Sequence, residues 1–305
     1  MKSSTLKLGK LSEKTEPMRP SSSLFFDVRG LKYHIREWGN KKGKPLFLLH
    51  GWMDVSASFQ FTVEHLSRDW RVLAPDWRGF GLSEWTKTEY WFQDYVADFN
   101  CIVEKLAPTG TISLVGHSMG GNIAGIFAGV RPDKISRLVL AEGFAIRPIN
   151  VNKSPERYMK WFDCIKSPKR LRPYSSFSDV VKRLITNTPN INPKNAEFLA
   201  LHWAHKTESG TIELRADPKH KHPSPALYQS NEALSYWKRI KSPVMWIHSD
   251  SSWLKNFMKN QFSEIDVYRK AFDKLTETTI EESSHMMHLD QPKKFARTIE
   301  NFLID

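Results

Sequence analysis

The stretch Ser113-Leu-Val-Gly-His-Ser-Met-Gly-Gly-Asn-Ile-Ala-Gly125 constrains this chain more than any other. Four glycines crowd around Ser118, between the apolar run 111–115 and the helix-like run 122–130. The first run reads as a strand and the second as a helix, so Ser118 falls on a strand-to-helix turn. A turn that tight strains the serine backbone and leaves no room for side chains two residues away. Gly116 and Gly120 stand at those positions, where the missing Cβ lets backbones approach. The backbone N–H of Met119 then belongs to the unpaired donors at a helix start, where the helix dipole favours an anion.

Short apolar runs recur along the chain, at 23–28, 32–38, 45–49, 71–75, 111–115, 138–141, 243–248 and 276–281. Several are continuous and β-branched, as in strands covered on both faces. Helical patterns such as 89–106 and 122–130 separate them. This alternation predicts a mostly parallel sheet with helices on both faces. Residues 150–241 break the rhythm with many prolines, short helices and scattered tryptophans. They read as a helical cap or lid inserted into a core formed by 23–149 and 242–305, with 1–22 as a mobile basic tail.

Of the net +12, the cap segment carries 17 Lys and Arg against 8 Asp and Glu, and the tail carries 5 against 2. The rest is balanced. Such a segment attracts anions or simply stays solvated. No zinc-finger spacing, RNA-binding signature or dense basic run is present, so no nucleic-acid partner is expected. Cys101 and Cys164 form neither a disulfide framework nor a metal motif. The chain has no long apolar window and no secretory signal pattern, which points to a cytoplasmic protein without an integral membrane segment. A small-molecule substrate, no metal, no organic cofactor and a monomer or homodimer are expected.

Leu46-Phe-Leu-Leu-His-Gly-Trp52 is an apolar strand ending in a turn at Gly51. Near the C-terminus, Ser283-Ser-His-Met-Met-His288 follows the last strand, with His285 first in its loop and His288 three residues on. Together "LFLLHGW", "VLAPDWRGFGLSEW", "LVGHSMGG", "RLVLAEGF" and "SSHMMHLDQP" resemble, in order and spacing, the α/β-hydrolase superfamily and its capped members. The likeness spans about 25–302 and implies an eight-stranded α/β-hydrolase fold. It implies Ser118 as nucleophile, His285 as base and the N–H groups of Trp52 and Met119 as an oxyanion hole.

The triad acid departs from the family pattern. The usual place, after the penultimate strand, has Ser249 for the expected glycine and Ser252 for the expected aspartate, with Asp250 two positions early. Some relatives place the acid one strand earlier, which here is Glu142. A carboxylate at the end of a buried strand needs a partner, and His285 would supply one, so Glu142 is favoured over Asp250. The resemblance implies a serine hydrolase acting on an ester, thioester or C–C bond of a largely apolar substrate, with room for a negative group on it. Cofactor-free dioxygenase chemistry and a non-turnover receptor are alternatives on the same fold. Asp76 and Arg78 read as a local structural pair. Trp38, Trp52, Trp77 and Trp85 line the pocket or pack the core.

Overall fold

The computed structural model describes residues 18–143, 150–226, 229–251 and 262–304. Most of the expected tail and Ser252 lie outside these residues. The strands are β1 Ser21–Val28, β2 Leu31–Gly39, β3 Lys44–Leu49, β4 Trp70–Pro75, β5 Ile112–His117, β6 Ile135–Ala141, β7 Ala204–Lys206, β8 Ile212–Leu214, β9 Val244–Ser249 and β10 Leu275–Ile280. Eight of them form one sheet in the order β1-β2-β4-β3-β5-β6-β9-β10, while β7 and β8 pair separately. The β1/β2 and β2/β4 pairs are antiparallel and the other pairs of the large sheet are parallel.

Local chemistry explains the first hairpin. Val28 pairs with Leu31, so Arg29 and Gly30 form a two-residue loop. Both have positive φ, 52° and 81°, as the twist-matched hairpin turn requires. The central strands are apolar throughout because both faces are covered. In β3, Phe47 and Leu49 enter one core with Phe99, Ile123 and Phe127 from the helices Phe92–Leu106 and Met119–Val130. Leu46 and Leu48 enter the opposite core with Phe59, Trp70, Phe295 and Ile299. The C-terminal helix Pro292–Ile304 closes that second face.

The insertion between β6 and β9 contains the helices Ser154–Lys166, Phe177–Asn187 and Pro193–Trp203 and the small β7/β8 hairpin. Its sequence reading as purely helical misses that hairpin. The helix Ser230–Trp237, read as part of the cap, packs instead on the core. A Cβ on Gly129 would sit 2.2 Å from Tyr236 O, and one on Gly125 would sit 2.7 Å from Trp237 Nε1. The expected tail is also shorter. Arg19 donates its backbone N–H to Glu64 Oε1 at 2.8 Å, and β1 begins at Ser21.

Asp76 and Arg78 are both structural but do not pair with each other. Asp76 accepts backbone N–H groups of Ser56 at 2.6 Å and Leu82 at 2.9 Å and faces His34 Nδ1 at 2.8 Å. Arg78 forms a two-pronged ion pair with Asp98, both contacts at 2.6 Å, and Asp98 also accepts from the Tyr33 hydroxyl. Trp38 and Trp77 are buried in the core, whereas Trp52 and Trp85 are 52% and 43% exposed. Among the described residues no helix is long and apolar enough to cross a membrane.

Candidate active site

Strand order reverses between β3 and β5, which are neighbours in the sheet. Ligands of open α/β sheets bind beyond the carboxyl ends of strands at such a switch point. Gly51 follows β3 and Ser118 follows β5, so both lie at this crevice. Ser118 has φ 52° and ψ −119°, a costly conformation that persists only where its surroundings enforce it. Gly116 and Gly120 make that conformation possible. A Cβ on Gly116 would lie 2.3 Å from Gly120 O, and one on Gly120 would lie 2.2 Å from Leu49 O.

His285, carried by the loop after β10, brings its Nε2 to 3.0 Å from Ser118 Oγ. Its Nδ1 lies 3.3 Å from Glu142 Oε2. Glu142 directly follows β6, the neighbour of β5, and its side chain is fully buried. Its other oxygen, Oε1, accepts the Ser249 backbone N–H at 2.8 Å. This pattern fixes the tautomer: Nδ1–H points at the carboxylate and Nε2 offers its lone pair to the serine hydroxyl. A buried carboxylate with these two partners is not an uncompensated charge.

Asp250 faces elsewhere. Its two oxygens accept the backbone N–H groups of Glu282 at 2.8 Å and Ser283 at 3.0 Å. It therefore ties down the loop that carries His285. The same loop is held at a second point, where Ser284 N donates to Asp290 Oδ2 at 2.7 Å.

The turn at Gly51 is close to the nucleophile: a Cβ there would lie 3.1 Å from Ser118 Cβ. His50 shapes this turn. Its Nε2 accepts the Trp77 backbone N–H at 3.1 Å, which leaves Nδ1–H to donate to Gly51 O at 2.7 Å. Burial pushes the His50 imidazole below its ordinary pKa, which keeps the lone pair this arrangement needs. Met119 is the first residue of the helix after the turn, where backbone N–H groups lack helical acceptors. Gly51 thus flanks Ser118 across the crevice and Met119 flanks it along the chain.

Three residues that sequence reasoning passed over also build the site. His117 Nε2–H donates to the His285 backbone carbonyl at 2.7 Å. Burial, then the neighbouring His288 and His285, push His117 well below the usual histidine range. Gly143 lets the end of β6 approach the turn, since a Cβ on it would sit 2.3 Å from Ser118 O. The pair Glu142-Gly143 in the sequence is a usable signal for that approach. Asp54 faces His288 Nε2 at 3.4 Å, so His288 is buried away from Ser118 and His285 alone meets the serine.

The insertion touches both loops that frame Ser118. Trp203 Nε1–H donates to Met53 O at 2.7 Å, and Asn190 Nδ2 donates to Glu282 O at 3.1 Å. A separate groove of about 590 Å³, lined by Phe92, Val96, Ile126 and Tyr236 among others, does not include Ser118, His285 or Glu142.

Comparison with known proteins identifies the family and the fold. The chain is 28% identical to the serine hydrolase-like protein of Danio rerio over 87% of its length and 83% of the relative's. It is 26% identical to a serine hydrolase-like protein of Dictyostelium discoideum, over 90% of this chain and 79% of that one. A thioesterase domain from the curacin biosynthetic pathway superposes with a TM-score of 0.83 at 21% identity, covering 92% of this chain and 99% of that domain. That structure supports the fold. Residues 44–292 match the family of the alpha/beta hydrolase fold, and the chain belongs to that family.

Proposed function

We propose that this protein is a serine hydrolase that cleaves an ester-type bond, a carboxylester or thioester, through an acyl-enzyme. The observation that carries the reading is the relay from Ser118 Oγ to His285 Nε2 at 3.0 Å and from His285 Nδ1 to Glu142 at 3.3 Å. The N–H of Met119 at the helix start next to the serine, and the close approach of the Gly51 turn that carries Trp52, support it.

Ser118 Oγ attacks the carbonyl carbon while His285 Nε2 takes its proton. The resulting imidazolium is stabilised by Glu142, whose charge is already buried against it. The oxyanion is held by the N–H groups of Trp52 and Met119, each worth about 10²–10³ in rate where such donors have been removed. His285 then returns the proton to the leaving oxygen or sulfur, and the C–O or C–S bond breaks. Water, deprotonated by His285, releases the acid and restores Ser118. Asp250 is assigned the task of positioning the 282–285 loop.

The insertion acts as a cap over this site, on the strength of its contacts with Met53 and Glu282. Its basic surplus favours substrates with a negative group. Hydrolysis of p-nitrophenyl esters across acyl lengths tests the reading. Wild type should turn over and label with a fluorophosphonate, and Ser118→Ala should do neither. Unchanged hydrolysis in Ser118→Ala would overturn the assignment.

A further inference from the structure

Beneath the loop that carries His285, three groups from distant points of the chain converge. Asp54, His117 and His288 each present a ligand atom, and these atoms all lie within 4.8 Å of one another. Asp54 lies after β3, His117 ends β5 and His288 lies after β10, so no sequence spacing reveals them. Their exposures are 3%, 1% and 0%.

The hydrogen bonding of this cluster is incomplete in a specific way. His117 spends its Nε2–H on the His285 carbonyl, which leaves Nδ1 as a lone pair. That atom is buried without a partner. Both ring nitrogens of His288 are also buried without a hydrogen-bond partner. His288 Nε2 lies 3.4 Å from Asp54 Oδ2 yet forms no hydrogen bond with it, so the two groups stand side by side. Asp54 Oδ2 itself is held by the Ser58 hydroxyl at 2.9 Å. Buried polar atoms left unpaired are uncommon and call for an occupant.

We infer that Asp54, His117 and His288 form a binding site for one divalent transition cation of the zinc, cobalt or nickel class. Two imidazoles and one carboxylate are the donor set such ions take, whereas calcium and magnesium select oxygen. Bonds of about 2.0–2.2 Å place tetrahedral ligands roughly 3.4 Å apart. Asp54 and His288 already have that spacing. The fourth position is left to water. The supporting contacts match those of metal sites: one histidine donates its other N–H to a backbone carbonyl, and the carboxylate is hydrogen-bonded. Through the His117 to His285 carbonyl contact, an ion here would brace the backbone of the residue that faces Ser118.

The test uses the full-length protein, stripped with chelator and titrated with cobalt(II) under prolonged incubation. Visible d–d bands of four- or five-coordinate cobalt should saturate at one equivalent and vanish on adding zinc. Ser118→Ala should bind like wild type. Asp54→Asn and His288→Gln, with folding checked by circular dichroism, should each lose at least about tenfold in affinity. Should both variants unfold, crystals of the wild type soaked in zinc should show an anomalous peak between the three ligand atoms. Absence of d–d bands in wild type would mean that the cluster encloses water only, and would overturn the proposal. Undiminished bands in both folded variants, or an anomalous peak only elsewhere, would overturn it equally.

Discussion

Replacing Glu142 with Gln separates charge and tautomer from shape. The wild-type carboxylate serves two partners of the same kind, the Ser249 N–H at Oε1 and the His285 Nδ1–H at Oε2. An amide of the same size has one acceptor oxygen. If that oxygen keeps the Ser249 N–H, the amide NH₂ faces His285 Nδ1. His285 must then accept at Nδ1 and carry its proton on Nε2, pointed at Ser118 Oγ. The base becomes a donor and cannot take the serine proton. The analogous change of acid to amide in a serine protease lowers kcat by about 10⁴, which sets the scale. A loss of roughly 10³–10⁴ in kcat is expected here, with KM little changed, because the defect acts on the proton transfer. Asp250→Asn is the control. It weakens one of two backbone contacts at Glu282 and Ser283 and should cost far less than Glu142→Gln, because the loop keeps the other contact and its anchor at Asp290 and no atom of the relay changes. The assay is p-nitrophenyl ester hydrolysis for both variants, with fluorophosphonate labelling of each. Activity of Glu142→Gln within a few-fold of wild type would refute the tautomer argument. So would equal losses in the two variants.

Other substitutions probe the scaffold. Gly143→Ala drives a Cβ to 2.3 Å from Ser118 O, so kcat should collapse, or the protein should fail to fold; ester hydrolysis and a melting curve distinguish these. Arg78→Ala removes two contacts of 2.6 Å from the fully buried Asp98 carboxylate, which keeps only the Tyr33 hydroxyl and the more exposed Arg29 at 3.0 Å. Urea unfolding should register a loss of about 1.5–3 kcal/mol, the worth of hydrogen bonds to a charged group, and a loss below about 1 kcal/mol would contradict the burial argument. Stability should also fall with acid below about pH 6.5, the ordinary histidine value. Burial pushes His202 down to about 4 and His220 down to about 3. The unfolded chain therefore binds protons between about 6.5 and these values that the native state does not. Each group withdraws at most ~1.4 kcal/mol per pH unit across its window. A denaturation midpoint that stays flat from about pH 6.5 to about 4.5 would refute the depressed basicity of these rings.

The features legible in the sequence are local ones. The strained turn at Ser118 is set by a few neighbouring residues, because steric limits on φ and ψ act at short range. Continuous apolar strands such as Leu46–Leu49 announce a sheet buried on both faces. Features that need a distant partner are misread. Asp76 and Arg78 are two residues apart and read as a pair, yet each finds its partner elsewhere, in His34 and in Asp98. The helix Ser230–Trp237 reads as cap because its neighbours in sequence are basic and proline-rich, but the small residues Gly125 and Gly129 let it settle onto the core.

The sequence by itself therefore determined the sheet, the turn that raises Ser118 and the position of His285 after the last strand. Which carboxylate faces that histidine was decided by tertiary structure. Glu142 and Asp250 directly follow the adjacent strands β6 and β9, and the cost of burying a lone charge favours Glu142 without placing it. Strand register and the path of the 282–285 loop bring Glu142 to His285 Nδ1 and turn Asp250 to backbone N–H groups. The same holds for Asp54, His117 and His288, which meet only because three segments more than sixty residues apart in sequence leave the sheet at its carboxyl ends. A side chain's partner across such distances is fixed by packing of the whole fold, and packing is not a property of any short stretch.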